Sequence, residues 1–417
     1  MVRVQTLERD REEEPCRTHC TTMHVEGQRR ALGLIAIAQL FALSLWFSAS
    51  AVADSLKVAW TLTDAQVPLL TLAVQVGFVV GALLSALLNL ADRIKSRYLF
   101  AMSAVAGGLV NAALVLVGSG DIFIVVGIRF LTGVALAGVY PSGMKAIAGW
   151  FKEGRGTALG ILIGALTVGS ALPHLVRGPG LDWQVVLLTA SGLAVVSASM
   201  MLMAGDGPFD TAVSKFSWHH VANITSNRAF RLATVGYLGH MWELYAAWTW
   251  VAFYVAATDF SGSSSVVAFA VIAVGGVGSW IAGRLADRRG RTLAAGGSMV
   301  ISGTAAALTA VVFNAPTWVM IGLLLVWGLT VISDSAQFSA IVTEVVDDEV
   351  RGTALTLQTA LGFMLTLVTI SVVPLIADRS SWQWAFLILV PGPIVGTIAM
   401  VRLKRSEWAA QIAGGRG

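Results

Sequence analysis

The chain has 417 residues, 56% of them hydrophobic and 12% charged, with a formal net charge of +4 and a mean hydropathy of +0.75. Soluble domains carry about a quarter charged residues, so this composition excludes a soluble protein. The only cysteines, Cys16 and Cys20, stand in a polar N-terminal stretch and leave no disulfide framework.

Residues 1–30 read as a polar, disordered tail rich in Arg and Glu, with no apolar stretch of the kind a cleavable signal needs. Met23 is an alternative start just before the first apolar run. Cys16, His19, Cys20 and His24 are metal-ligand types, but a zinc site needs paired ligands on a folded hairpin and none follows. No metal is therefore expected. Apolar runs then occupy 31–53, 66–90, 98–117, 121–146, 155–176 and 183–204. A polar connector over 205–230 separates them from runs at 231–256, 265–282, 292–313, 317–343, 352–377 and 384–402. A short polar tail over 404–417 closes the chain. A helix needs ~20 residues to cross a ~30 Å hydrocarbon layer, and only a helix satisfies its own backbone there. The expectation is an all-α integral membrane protein with twelve spans, six in each of two bundles (31–204 and 231–403).

Lys and Arg set the orientation. With the N-terminus inside, 24 of them fall in the tail, the inner loops and the C-terminal segment, against three outside, Lys57, Arg177 and Arg379. Both termini are expected in the cytoplasm of a bacterial inner-membrane protein. The basic balance is thus a topology signal and not a nucleic-acid footprint.

The two halves share a pattern. The loop Gly283-Arg284-Leu285-Ala286-Asp287-Arg288-Arg289-Gly290-Arg291 is echoed by Leu88 to Arg97, including Asp92 and Arg93, at an offset of 195. Arg155-Gly156-Thr157-Ala158-Leu159 returns as Arg351 to Leu355, and Trp46 is matched by Trp242, both at an offset of 196. Matches at nearly one offset indicate a duplicated chain. The loop resembles the signature of the major facilitator superfamily, intact in the second copy and worn in the first, where Leu88 and Lys95 replace glycines. The resemblance implies two pseudo-symmetric six-helix bundles. It also implies that Asp92 and Asp287 reach the N-terminus of a helix in the other half, near Arg351 and Arg155, where helix dipole and free N–H groups favour a carboxylate. Such contacts would gate the cytoplasmic side. The small-residue stripes Gly77, Gly81, Ser85 and Gly275, Ser279, Gly283, with Gly160 and Gly164, read as close helix packing.

Charges inside spans are costly, about 2.5–3.5 kcal/mol each on insertion scales, so Arg129 in the fourth span, Glu243 in the seventh and Asp334 in the tenth stand out. His240 shares a helix face with Glu243, and Gln337 lies one turn after Asp334. Asp54 and His174 read as interfacial. In the superfamily it resembles, helices 1, 4, 7 and 10 line the central cavity. That resemblance implies either a structural salt bridge between Arg129 and a carboxylate, or Arg129 drawing an anion while Glu243 or Asp334 carries a proton. Trp46, Phe47, Tyr140, Trp242, Tyr245 and Trp248 would form aromatic walls. Pro141 and Pro173 are candidate helix bends. The stretch from Arg129 through Pro141 to Gly160 is similar to cyanate and organic-anion permeases, although Thr132 replaces a usual Gln.

No His-Glu-x-x-His, Gly-x-Ser-x-Gly or nucleotide-binding loop is present, so neither an enzyme nor a nucleotide-driven pump is expected, and no cofactor. The leading reading is a monomeric secondary transporter moving a small anionic solute by alternating access, coupled to protons. The runner-up is proton-driven efflux of an organic compound.

Overall fold

A computed structural model describes residues 27–88, 90–117, 121–151, 155–209, 218–347 and 350–417. The possible metal ligands of the tail and the alternative start at Met23 lie outside the described residues, as do the side chains of Asp92 and Arg155.

The spans form in the expected places. They are α1 (27–43), α2 (Leu69–Leu87), α3 (Ser96–Ala112), α4 (Ile122–Trp150), α5 (Arg155–Arg177), α6 (Trp183–Ala204), α7 (Arg228–Ala256), α8 (Ser264–Arg289), α9 (Arg291–Val312), α10 (Thr317–Val331, resumed as Ser335–Val345), α11 (Arg351–Arg379) and α12 (Pro391–Lys404). A short helix, Trp218–Ser226, leads into α7. Their starts are chemically marked. Asp121 accepts from Phe123 N at α4, Asn227 from Phe230 N at α7 and Ser263 from Val266 N at α8, each satisfying a free N–H of a first turn. Gly290 ends α8 at φ 103°, a conformation that favours glycine, and α9 begins at the next residue.

Among the described residues, ten helical stretches are long and apolar enough to cross a membrane. The two remaining spans are α1 and α7, which occupy equivalent places in the two halves. The first falls short because its helix stops at residue 43 and gives way to turns over 44–49. The second, 29 residues long, carries Arg228, Arg231, His240, Glu243 and six Trp or Tyr side chains. With these two, twelve spans make an all-α integral membrane protein.

Helix pairing repeats with a shift of six. In the first half α2 and α3 pack on α4, and α3 on α6; in the second, α8 and α9 pack on α10, and α9 on α12. The most extensive pairs across the halves, α5 with α8 and α2 with α11, are related by the same shift. Small residues allow the close crossings. A Cβ at Gly133 would sit 2.1 Å from Val74 O and one at Gly77 2.0 Å from Phe130 O, at the α2–α4 crossing. Gly164 and Gly276 face each other across the α5–α8 seam. Gly160 and Gly283 have open space instead, so those two members of the stripes are not packing positions.

Three expectations about helix regularity and burial change. α4 and α5 continue through Pro141 and Pro173. The interruptions come at 44–49 in α1, where amides bond three residues back (Trp46 N to Leu43 O, 3.0 Å), and between Val331 and Ser335 in α10. His174 is buried at 1% exposure and not interfacial, because it lies on the face of α5 that Thr167 and Gly178 turn to α8; Asp54 is exposed.

Candidate functional site

The centre of the molecule is an aromatic cluster spanning both halves. The Trp46 ring, carried by the unwound part of α1, lies 5.0 Å from Phe78 of α2, 5.7 Å from Tyr245 of α7 and 5.5 Å from Phe363 of α11. Phe78 and Phe363 meet at 4.6 Å, Tyr245 and Phe363 at 5.1 Å. Phe47 stacks on Tyr245 and meets Trp248 edge-on. Such offset and tilted pairs contribute about 0.5–1.5 kcal/mol each beyond burial. Trp46, Phe47, Tyr245 and Trp248, four of the aromatic residues singled out in the sequence, thus pack into one cluster. Tyr140 approaches from α4, within electrostatic reach of Tyr237 and Tyr245, and the Tyr237 side chain bonds Thr359 of α11. Trp242 does not join them: it packs against Gly392 at the start of α12, and its indole donates to Ile388 O at 2.7 Å.

Arg129 makes contacts other than the expected pair with a carboxylate. It is fully buried. Its Nε donates to Leu70 O (3.0 Å), Nη2 to Trp46 O (2.7 Å), and Nη1 to Asn111 Oδ1 (2.9 Å), Ser48 Oγ (3.2 Å) and Leu45 O (3.3 Å). No carboxylate pairs with it among the described residues. The guanidinium is a staple for the carbonyls that α1 exposes on unwinding, and all three of its nitrogens are engaged. The sequence held a signal for this that motif reading missed, in the buried Ser48 and Asn111 that share the network.

The two intramembrane acids divide. Glu243 is enclosed within the second half, accepting from Trp327 Nε1 (2.7 Å) of α10 and Ser302 Oγ (2.8 Å) of α9. Asp334 lies at the interruption of α10 with its Oδ1 2.7 Å from His240 Nδ1, and both side chains are at most 3% exposed. That contact is short but poorly aligned for a hydrogen bond, and His240 Nε2 has no partner among the described residues. It is better regarded as a close polar contact than as a directional bond, since misalignment weakens a bond steeply. The ring is flanked by Tyr237 and Phe338. Gln337 turns the other way and accepts from Arg291 Nη1 at 3.4 Å.

The signature loop between α8 and α9 is held by the C-terminal segment. Arg291 forms a bidentate pair with Glu344 at the end of α10, Nε donating to Oε2 and Nη2 to Oε1, and Glu344 also accepts from Ala413 N (3.0 Å). Thr292 Oγ1 donates to Gly417 O, and Arg416 donates to the Asp287 backbone carbonyl, each at 2.6 Å. Of the remaining loop residues, Arg93 and Arg288 are exposed, and Arg284 stacks over Trp280 at 4.0 Å. No group of three or more metal-ligand side chains occurs among the described residues.

Two six-helix bundles, joined by symmetry-related helix pairs around a buried aromatic and polar centre, define a polytopic secondary transporter. The sequence profile of the Major Facilitator Superfamily matches residues 34–336, and the chain belongs to that family. Among solved structures, it is similar to a point mutant of the nucleoside transporter NupG, with a TM-score of 0.68 at 14% identity over 89% of this chain and 99% of that one. It is also similar to a bacterial homolog of the human lysosomal transporter Spinster in an inward-facing, unoccupied conformation, with a TM-score of 0.65 at 13% identity over 90% and 95%. At such identities the likeness concerns the fold. A search of curated proteins returned no match.

Proposed function

We propose that this chain moves a small solute across a bacterial inner membrane by alternating access, driven by protons, with the coupling proton carried at the His240–Asp334 contact. That contact is the observation behind the reading. It joins an imidazole to a carboxylate at the interruption of α10. An interrupted helix adjusts its backbone more readily than a continuous one, and intramembrane ionisable pairs commonly mark proton paths. Glu243 fits the role less well, since two neutral donors fix it inside the second half. The asymmetry of Lys and Arg supports cytoplasmic termini, and the loops at Asp92 and Asp287 are assigned the cytoplasmic gate. The anionic solute expected from Arg129 would have to be met by neutral donors, because the guanidinium is engaged by α1.

The test uses proteoliposomes with an imposed pH gradient and a panel of labelled small acids, amides and nucleosides, the last because one structural neighbour is named a nucleoside transporter. Asp334→Asn should abolish gradient-driven accumulation and retain counterflow exchange, which needs no net proton movement. Glu243→Gln should keep both. Loss of accumulation with Glu243→Gln alone would move the proton to α7, and intact accumulation in both variants would end the coupling proposal. Expulsion in place of accumulation would select the efflux reading.

A further inference from the structure

Buried polar groups are nearly always hydrogen-bonded, and leaving one unpaired is costly. Against that background, four buried groups at the junction of the halves are notable. The indole Nε1 of Trp46 and of Trp248, both amide atoms of Gln75, and the amide nitrogen of Gln358 have no partner among the described residues. They come from α1, α7, α2 and α11, one from each helix. The two indoles belong to the aromatic cluster itself. Gln75 shares the face of α2 that bears Thr71 and Phe78, and Gln358 the face of α11 where Gly362 meets Tyr237.

The ionisable groups around this junction each face another group of the protein. Arg129 holds the carbonyls of Leu45, Trp46 and Leu70. His240 faces Asp334, and Glu243 is held by Ser302 and Trp327. A solute ion arriving here would find no unspent counter-charge, and burying an unpaired ion costs several kcal/mol. An uncharged ring would be met by aromatic faces on both sides, and its acceptors by the two indole donors and the amides.

We propose that the junction lined by Trp46, Gln75, Tyr245, Trp248, Gln358 and Phe363 is the solute site, and that it selects an uncharged, ring-bearing solute with hydrogen-bond acceptors. This rests on the transport reading above and deepens it. Within the site, Arg129 is a positioning residue: by fixing the Trp46 carbonyl it aims the Trp46 ring into the junction.

The experiment measures equilibrium binding of labelled nicotinamide to the purified full chain, competed by nicotinate and 1-methylnicotinamide, which carry nearly the same ring with a negative or positive charge. Benzamide, benzoate and benzamidine form a second set on another ring. The uncharged member of each set should compete at least about a hundredfold better than its charged partners, the scale expected when an ion is buried without a counter-charge. Trp46→Phe and Trp248→Phe keep a ring and remove a donor, and each should weaken binding about fivefold. Trp318→Phe, at 77% exposure on α10, is the control and should change nothing. Preference for a charged member, or binding by no member of either set, would overturn the proposal. So would Trp46→Phe and Trp248→Phe variants that bind as the parent does. Binding involves no gradient, so the solute proposal stands or falls here independently of proton coupling; tight binding without any counterflow in liposomes would instead sink the transport reading.

Discussion

Removing the Arg129 staple should damage the fold before it damages recognition. In Arg129→Leu the carbonyls of Trp46 and Leu70 lose charged donors at 2.7 and 3.0 Å, and Asn111 Oδ1 loses one at 2.9 Å. Hydrogen bonds to a charged group contribute about 1.5–3 kcal/mol each. Part of that is returned because the guanidinium no longer has to be buried, and Ser48 still bonds Asn111. A net loss of about 3 kcal/mol follows, or a fall in the unfolding midpoint on the order of 10 °C for a bundle of this size. Arg129→Lys keeps the charge but has a single nitrogen, which cannot reach Leu70 O and Trp46 O together, so it should recover only a minor part. The assay is thermal unfolding of detergent-purified protein followed by intrinsic fluorescence. An Arg129→Leu variant that unfolds with the parent while losing solute binding would refute the staple and return Arg129 to the role of an anion ligand.

Three further outcomes follow from the packing. His174→Leu removes two unpaired buried nitrogens from the α5–α8 seam and should raise the unfolding midpoint, by about 1–2 kcal/mol in stability; a lower midpoint would mean that the ring has a partner in another conformation. Gly133→Ala forces a methyl against Val74 O and should abolish recovery of monodisperse protein, whereas Gly297→Ala, with open space around it, should be neutral in size-exclusion profiles. Glu344→Gln weakens the hold on both Arg291 and Ala413, so trypsin should release the C-terminal segment after Arg405 several times faster, as read by mass spectrometry.

Much of this architecture was legible in the chain because membrane helices announce themselves by composition. The apolar runs and the helices agree to within a few residues at most ends, since each boundary is set by where charged residues meet the membrane surface. The duplication was equally visible, because Asp287 and Arg351 have counterparts at nearly one offset. The interruptions were not. Residues 44–49 of α1 and 332–334 of α10 contain no proline or glycine, and the helix yields there because distant groups, Arg129 and His240, approach the freed backbone or side chains. Pro141 and Pro173 broke nothing, as neighbouring helices support the chain around them. The centre was half legible. Trp46 and Tyr245 pack together, but spacing alone could not tell that Trp242 turns to α12 or that Arg129 faces carbonyls. Those depend on helix rotation and on which partners arrive from other spans.

Alternating access as proposed here requires the halves to part along α5–α8 on the face opposite the termini. A Cβ at Gly178 would come 2.6 Å from Val266 Cγ2 at that end of the seam, close enough for a disulfide between cysteines placed there. The measurement is solute counterflow by the Gly178→Cys/Val266→Cys variant, with Cys16 and Cys20 replaced by serine, before oxidation, after oxidation and after reduction. Activity is expected in the reduced protein, with loss on cross-linking and return with reductant. Counterflow that continues unchanged through a complete cross-link would contradict that requirement.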